Sequence, residues 1–582
     1  MKKINLPYGI DNFAKVRASN CYYVDKTGFI KELLDRTFDV NLITRPRRFG
    51  KTLTMSMLAE FFDIRKDSKK IFEGLEIAED KDFCAAWMNQ WPVLFLTLKD
   101  VNGRKFEGAY DLLQYTISSL CIEHAYLADS GKVDSSDKER FLRLKSENGR
   151  PSDVKSALVT LLRMMKMHYG KDVILLVDEY DVPLAKASDN GYYEDMLDVI
   201  RSLLGMTWKT NPALKFAVVT GCLRIAKESI FTGANNFITN SISNQKYQDY
   251  FGFKEAEVST LLQTAELQDA LPEMKRWYDG YIFGREEVYC PWDVINHIDA
   301  LLTDRKAAPD NYWLDTSHNN IIKRFIEHPH INVNAKFETL LAGGVIQEPI
   351  REDLTYDIAH SSEDNLWSIL YLTGYLTQVL PENLPKGMKL EDGNMALKIP
   401  NEEVKSVFGC TVKKWFEDKI AVRDRSCLFQ AWWNGDADAL TQEVTNILFG
   451  TISYFDYKED FYHAFVAGLF SGAGYDVRTN SENGCCVPVA RVKHRPERSG
   501  DLGRADIVVK EQERRRAIVI EAKWPGKGSA GLEKECAEAL KQIEDKQYMK
   551  NLLLEGYTTV LCYGAAFRGK TCLIKLAEKK SI

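Results

Sequence analysis

Asn41 to Phe62 reads NLITRPRRFGKTLTMSMLAEFF: an apolar run, a sharp basic loop and an amphipathic segment in immediate succession. That order predicts a strand, a turn and a helix, with Gly50-Lys51-Thr52 at the junction. The chemistry suits a nucleoside triphosphate. Gly50 lets backbone N–H groups close on phosphate oxygens, Lys51 can reach the β and γ phosphates, and Thr52 can offer its hydroxyl to Mg2+. Arg45 stands where a full P-loop carries glycine, and Pro46, Arg47 and Arg48 make the loop stiffer and more cationic. Arg47 and Arg48 are therefore further candidates for phosphate binding. From these residues alone, the alternative is a basic loop entering an ordinary helix.

Outward from this loop, short apolar runs alternate with amphipathic stretches from Tyr22 to about Leu223, the pattern of a parallel sheet with crossover helices. The spacing predicts buried strands at Val40 to Thr44, Pro92 to Leu98, Val173 to Val177 and Lys215 to Thr220. The third leads straight into acid, VILLVDEYDVPL, as a Walker B strand does. Asp178 at its carboxyl end can hold the Mg2+ shell, and Glu179 can orient or polarise the attacking water. The fourth, KFAVVTGCLRI, ends on Thr220 with Arg224 just beyond, where both can sense the γ-phosphate. A solvated turn is the competing reading of Arg224. Asp129 to Ser152 is polar and charged and reads as an exposed helical excursion or loop.

With 582 residues and 45% hydrophobic content, the chain exceeds what one core fills, because cores stop growing at roughly 250 to 300 residues. Charged residues make up 27% with both signs mixed, so most of the chain should fold. The net charge of -6 gives no general attraction to nucleic acid, and any such binding must come from local basic surface. Twelve cysteines are spread singly apart from Cys485-Cys486, with no zinc spacing, which fits reduced thiols and a cytoplasmic location. The first residues, MKKINLPYGIDNF, lack an apolar signal core, and no stretch approaches the ~18 apolar residues of a membrane span.

From Phe251 to Tyr312 the pattern turns helical and aromatic, with WYDGYIFG and CPWDVINHI, and reads as a lid or adaptor. Lys336 to Phe416 shows a short helix, the apolar helix NLWSILYLTGYL, a hairpin candidate at Asp392-Gly393 and another helix from Asn401. That order suits a winged helix. After Asp456 come a helix, FYHAFVAGLFSGAGY, then strands at Ala505 to Val509 and Ala517 to Ala522, then a charged helix from near Gly531. Asp506 opens the first of these strands and Glu521-Ala522-Lys523 ends the second. Residues two apart on a strand project the same way, so Glu521 and Lys523 share a face, and an antiparallel neighbour can bring in Asp506. Two carboxylates suit Mg2+, with Mn2+ as a substitute, and Lys523 can orient a water or stabilise developing charge. The reaction would be phosphodiester hydrolysis. Arg491, Lys493, Arg495, Arg498 and Arg504, in a long loop before Asp506, can bind a nucleic-acid backbone; a solvated loop is the alternative. Glu482 is a candidate third ligand, and an exposed loop glutamate otherwise.

YVDKTGFI, ITRPRRFGKT, LLVDEYDVPL, TGCLRI, FGF, WYDGY and PWDVIN together resemble the bacterial AAA-ATPase-like family over roughly the first 300 residues. The resemblance implies that Arg45 marks a variant P-loop, that ATP is bound, and that Asp25-Lys26 belongs to the pattern, either beside the nucleotide or as a structural salt bridge. The last segment resembles the PD-(D/E)XK nuclease domain that accompanies this family. This implies roles for Gln542 and Tyr548 in EALKQIEDKQY, and for Tyr462 and His463 in the opening helix. The expectation is thus an α/β multidomain chain: a P-loop parallel-sheet ATPase (1–250), a helical lid or adaptor (251–335), a helical, winged-helix-like region (336–450) and a restriction-endonuclease-like domain (451–582). It would bind and hydrolyse ATP and so regulate a metal-dependent nuclease acting on DNA, without membrane contact. An arginine finger in trans, Arg224 or Arg48, would make it a homo-oligomer. The alternative is an ATP-driven signalling switch whose last domain binds nucleic acid or a partner without cleaving. A small-molecule kinase ranks lower, since no substrate lid or acceptor site is recognisable beside GKT.

Overall fold

Four buried apolar runs before residue 222 place their backbone groups against one another, and a computed structural model shows the resulting sheet. It describes residues 4–35, 38–209, 211–225, 237–313, 334–354, 363–408, 426–449, 462, 465–467, 469–470, 475–479, 506–523, 531–546, 548–568 and 571–581. The chain divides into two units, Met1–Ile331 with Val345–Val407, and Asn332–Gly344 with Phe408–Ile582.

In the first unit the strands are β1 (Val40–Thr44), β2 (Val93–Thr97), β3 (Val173–Asp178), β4 (Leu214–Gly221), the short β5 (Arg224–Ile225) and β6 (Phe237–Asn240). Five of them form one sheet in the order β2-β3-β4-β1-β6, with every pairing parallel. Every residue of β1 and β3 is buried, as expected for a parallel sheet covered on both faces. The register sets Thr44 beside Gly221, Ile43 beside Asn240 and Thr97 beside Asp178, so the carboxyl ends of the strands share one edge. Helix Lys51–Phe62 starts there, directly after Gly50.

Asp129 to Ser152 is helical and largely exposed, as expected of its composition, but it is seated on the protein rather than a free excursion. Helix Ser135–Lys145 turns Phe141 and Leu144 inward. The buried acids there are paired: Asp137 meets Arg163, and Asp153 meets Arg140 and Arg143. A few apolar residues at helical spacing suffice to seat a helix when its buried acids have partners.

Helices Glu255–Thr264, Leu271–Tyr278 and Pro291–Thr303 enclose a core that includes Leu261, Met274, Tyr278, Val294 and Ile298. Between them lies a hairpin of β7 (Tyr281–Phe283) and β8 (Glu286–Val288). Farther on are β9 (Ile346–Pro349), β10 (Asp353–Leu354), β11 (Thr377–Gln378) and β12 (Asn394–Lys398). β12 pairs antiparallel with both β9 and β11, and β10 pairs parallel with β5.

The second unit holds a mixed sheet of β13 (Asp476–Thr479), β14 (Ile507–Glu511), β15 (Arg516–Lys523), β16 (Thr559–Arg568) and β17 (Thr571–Ser581), in that order. Only β15 and β16 among them run parallel, and helix Leu532–Lys546 makes the crossover. Alternation along β15 divides two cores. Ile518, Ile520 and Ala522 face Trp432, Leu440 and Val444 of the preceding helices, whereas Ala517 and Val519 pack with Ile543 and Met549. Glu521 and Lys523 continue the second set and so point to the side of the crossover helix.

Candidate functional site

The loop after β1 takes up left-handed backbone at Arg48 (φ 71°) and Gly50 (φ 82°), and position 45 is not among the positive-φ residues. Arg45 can therefore replace glycine without strain. Its N–H bonds the Gly221 carbonyl at 3.1 Å. Its side chain, fully buried, runs away from the loop mouth and donates to the carbonyls of Thr44 at 2.8 Å and Asn240 at 2.9 Å. The guanidinium lies between the rings of Phe251 (5.1 Å) and Phe283 (5.4 Å).

Lys51, 3% exposed, donates to the carbonyls of Arg45 (3.1 Å) and Pro46 (3.0 Å) and stands 3.4 Å from Glu179 Oε1. Burial opposes its charge, but Cys222, Glu179, Asp181 and Asp178 surround it and hold the ammonium above its ordinary range. Thr52 Oγ1 donates to Asp178 at 2.8 Å, and Thr220 Oγ1 donates to the other oxygen at 2.6 Å. Burial, then the nearby Glu179 charge, push Asp178 up to about 6. Glu179 sits at φ 54°, and its Oε2 has no hydrogen-bond partner among the described residues. Lys51, Thr52, Asp178, Glu179 and Thr220 thus meet at one sheet edge.

The next two residues of DEYD brace the segment after β4. Tyr180 Oη donates to the Leu223 carbonyl at 2.7 Å and accepts from the Ile225 N–H at 3.0 Å. Asp181 accepts from the N–H groups of Cys222 and Leu223 at 2.9 and 3.0 Å. Sequence reasoning passed over both, although the acid-aromatic-acid repeat after the strand was the available signal. Arg224 lies in β5 with its guanidinium 5.9 Å from the Phe237 ring. Arg47 is partly buried, and its charge acts on Cys222 and Lys186.

The scattered aromatic motifs converge on the loop. Phe49 meets Tyr281 and Phe283 at 5.0 Å each, and Arg48 lies 4.0 Å over Trp292. Pro46 abuts Gly374, where φ is 90° and an added Cβ would come within 2.9 Å of the proline. Asp25 and Lys26 are occupied structurally. Asp25 accepts from Thr27 and from the Glu76 N–H, and Lys26 bonds Glu257 at 2.6 Å and the Asp249 carbonyl at 2.8 Å. A further cluster, invisible in the sequence, is the fully buried pair Asp293 and Glu403. Burial and the neighbouring Asp293 drive Glu403 far above the carboxylate range, while the Trp313 N–H bonds its Oε1 at 2.8 Å.

In the second unit, Asp506 Oδ2 accepts from the Ala522 N–H at 3.0 Å, and the Asp506 N–H reaches Glu521 Oε2 at 3.4 Å. Glu521 is fully buried; Lys523 Nζ lies 3.6 Å from its Oε1, and Gln542 donates to the same oxygen from the crossover helix. Four motif residues therefore meet. Asp506, just before β14, and Glu521, in β15, offer hard oxygen donors side by side, a set that fits Mg2+ or Mn2+. Among the described residues no group of three or more His, Cys, Asp and Glu is disposed around one metal position. Tyr462 is a buried helical residue stacked on Phe567 at 4.6 Å, and Tyr548 begins helix Tyr548–Leu554. His463, Glu482 and the basic residues Arg491, Lys493, Arg495, Arg498 and Arg504 lie outside the described residues.

Residues 7–231 match the family model described as Predicted AAA-ATPase, and residues 492–576 match the PD-(D/E)XK nuclease superfamily. The chain thus carries an AAA-ATPase-like domain and a PD-(D/E)XK nuclease superfamily domain. It is also similar to an uncharacterized protein in the vnfD 5' region of Azotobacter chroococcum mcd 1, with 25% identity over 489 residues, covering 82% of this chain and 85% of that protein. No helix among the described residues is long and apolar enough to cross a membrane.

Proposed function

We propose that the chain binds and hydrolyses ATP at the Lys51 site and cleaves phosphodiester bonds of DNA at the Asp506 and Glu521 site, with the nucleotide state regulating the cleavage. The observation that supports this most directly is the meeting of Asp506, Glu521, Lys523 and Gln542 at one end of the β14 and β15 hairpin. Mg2+ or Mn2+, held there by Asp506 and Glu521 and at the nucleotide by Thr52 and Asp178, would polarise phosphate oxygens and acidify a bound water. The protein's part is electrostatic and positional. Gln542 fixes one oxygen of Glu521, and Lys523 orients the attacking water or offsets charge gathering on the phosphate. At the first site Lys51 would exchange the Arg45 and Pro46 carbonyls for phosphate oxygens, and Glu179, relieved of the lysine, would orient the hydrolytic water.

On this reading residues 1–250 are the ATPase, 251–335 its lid, 336–450 a helical, winged-helix-like region and 451–582 the nuclease. The protein acts in the cytoplasm, with Arg224 or Arg48 available as a finger in a homo-oligomer. The test incubates the purified chain with linear, circular and single-stranded DNA and with RNA, in Mg2+ or Mn2+, with and without ATP. Cutting by the wild type and none by Asp506→Ala or Lys523→Ala is the expected outcome. ATP hydrolysis without any cutting would move the function to a switch that binds but does not cleave.

A further inference from the structure

We infer that Trp292, flanked by Tyr8, is the seat for the base of the nucleotide, and that Arg48, whose guanidinium lies over the indole, leaves it for the phosphates when nucleotide binds. The inference rests on the nucleotide reading above and names the part of that site which would recognise a purine ring.

Four observations carry it. First, a guanidinium 4.0 Å from the indole centroid is a planar, delocalised group occupying the place of a flat heterocycle. Second, Arg48 belongs to the loop that would wrap the phosphates, and its left-handed backbone is held while its carbonyl receives the Cys290 thiol at 3.8 Å. Among the described residues its guanidinium makes no hydrogen bond or salt bridge, and burial lowers its pKa. A partly buried cation with five unspent donors gains most from an anion. Third, the indole is anchored independently of Arg48, because Trp292 Nε1 donates to the Tyr312 carbonyl at 3.2 Å. Fourth, Tyr8 is 57% exposed and its ring lies beside Trp292, tilted by 32° with the centroids 5.8 Å apart, so a second aromatic ring stays open to solvent next to the first.

The steps reinforce each other. Phosphate draws the guanidinium off the ring, and the same ligand supplies a base to cover it. Cation–π contact is exchanged for base stacking, worth about 1–3 kcal/mol for a stacked base in other proteins, or roughly five- to hundredfold in affinity.

Calorimetric titration of the full chain with Mg-ATP and with Mg-tripolyphosphate tests this, since the second ligand has phosphates and no base. Trp292→Ala should weaken ATP binding about five- to hundredfold and leave tripolyphosphate binding unchanged or tighter, because Arg48 is no longer held. Trp292→Phe should recover part of the ATP loss. Tyr8→Ala, at an exposed position, should show the same selectivity with a smaller loss. An equal loss of both ligands, or no loss of ATP, overturns the inference and leaves Trp292 as packing. A wild type that binds neither ligand, or a Lys51→Ala variant that binds both as the wild type does, overturns the nucleotide reading itself.

Discussion

The two sites are charge inverses of each other. In the first unit a lysine 3% exposed is ringed by Asp178, Glu179 and Asp181; in the second a fully buried glutamate is faced by a lysine and an amide. A buried charge without compensation is costly, so each site carries its counter-charge within it. The difference teaches what each can receive. A central cation held by carbonyls and acids can trade those partners for phosphate oxygens, whereas a central carboxylate beside a second acid can trade a lysine for a metal ion.

Removing the central charge of either site should break one activity and spare the other. Glu521→Gln keeps the shape and removes the charge, and is expected to lower DNA cleavage about a thousandfold, read in the plasmid-nicking rate, with ATP affinity unchanged. Lys51→Ala is expected to weaken ATP binding about a hundredfold, with metal-dependent cleavage in the absence of ATP unaltered. If that basal cleavage falls as well, the two sites depend on each other rather than acting separately. A smaller effect sharpens the second site: Gln542→Ala frees one oxygen of Glu521 and should cost ten- to hundredfold in rate, on the order of other outer-sphere losses. The smallest concerns stability. The folded-state pKa of Glu403 lies above its unfolded value near 4.5. Its contribution is therefore complete below that value and lost as pH rises toward the folded-state pKa. Stability should decline with rising pH through neutrality by at most about 1.4 kcal/mol per unit, and Glu403→Gln should flatten the slope in urea titrations.

The legible parts were those with local pattern. All four strands predicted before residue 222 are present to within a residue or so, because short apolar runs closed by polar residues leave few alternatives. The shared face of Glu521 and Lys523 followed from alternation alone, and the crossover helix brought Gln542 onto it. What stayed hidden was long-range. Nothing near Asp293 announces Glu403, and no periodicity shows that Arg45 faces Phe251 and Phe283 rather than the loop mouth. The polar stretch after Asp129 is helical and mostly exposed as composition suggests, but composition does not show that its few inward residues, Phe141 and Leu144 among them, seat it against the fold.

The side chains of the loop at 45–50 reach far beyond their own strand and helix. Arg45, Arg48 and Phe49 rest on aromatic rings from residues 251 to 292, and Pro46 rests on Gly374. A gene fragment ending at residue 231, where the family match stops, would carry Lys51, Thr52, Asp178, Glu179 and Thr220 and yet leave those side chains facing water. The smallest piece that selection can shuffle intact is accordingly larger than the motif that names it: a recombination breakpoint between residues 231 and 374 would pass on the loop without the surface that shapes it.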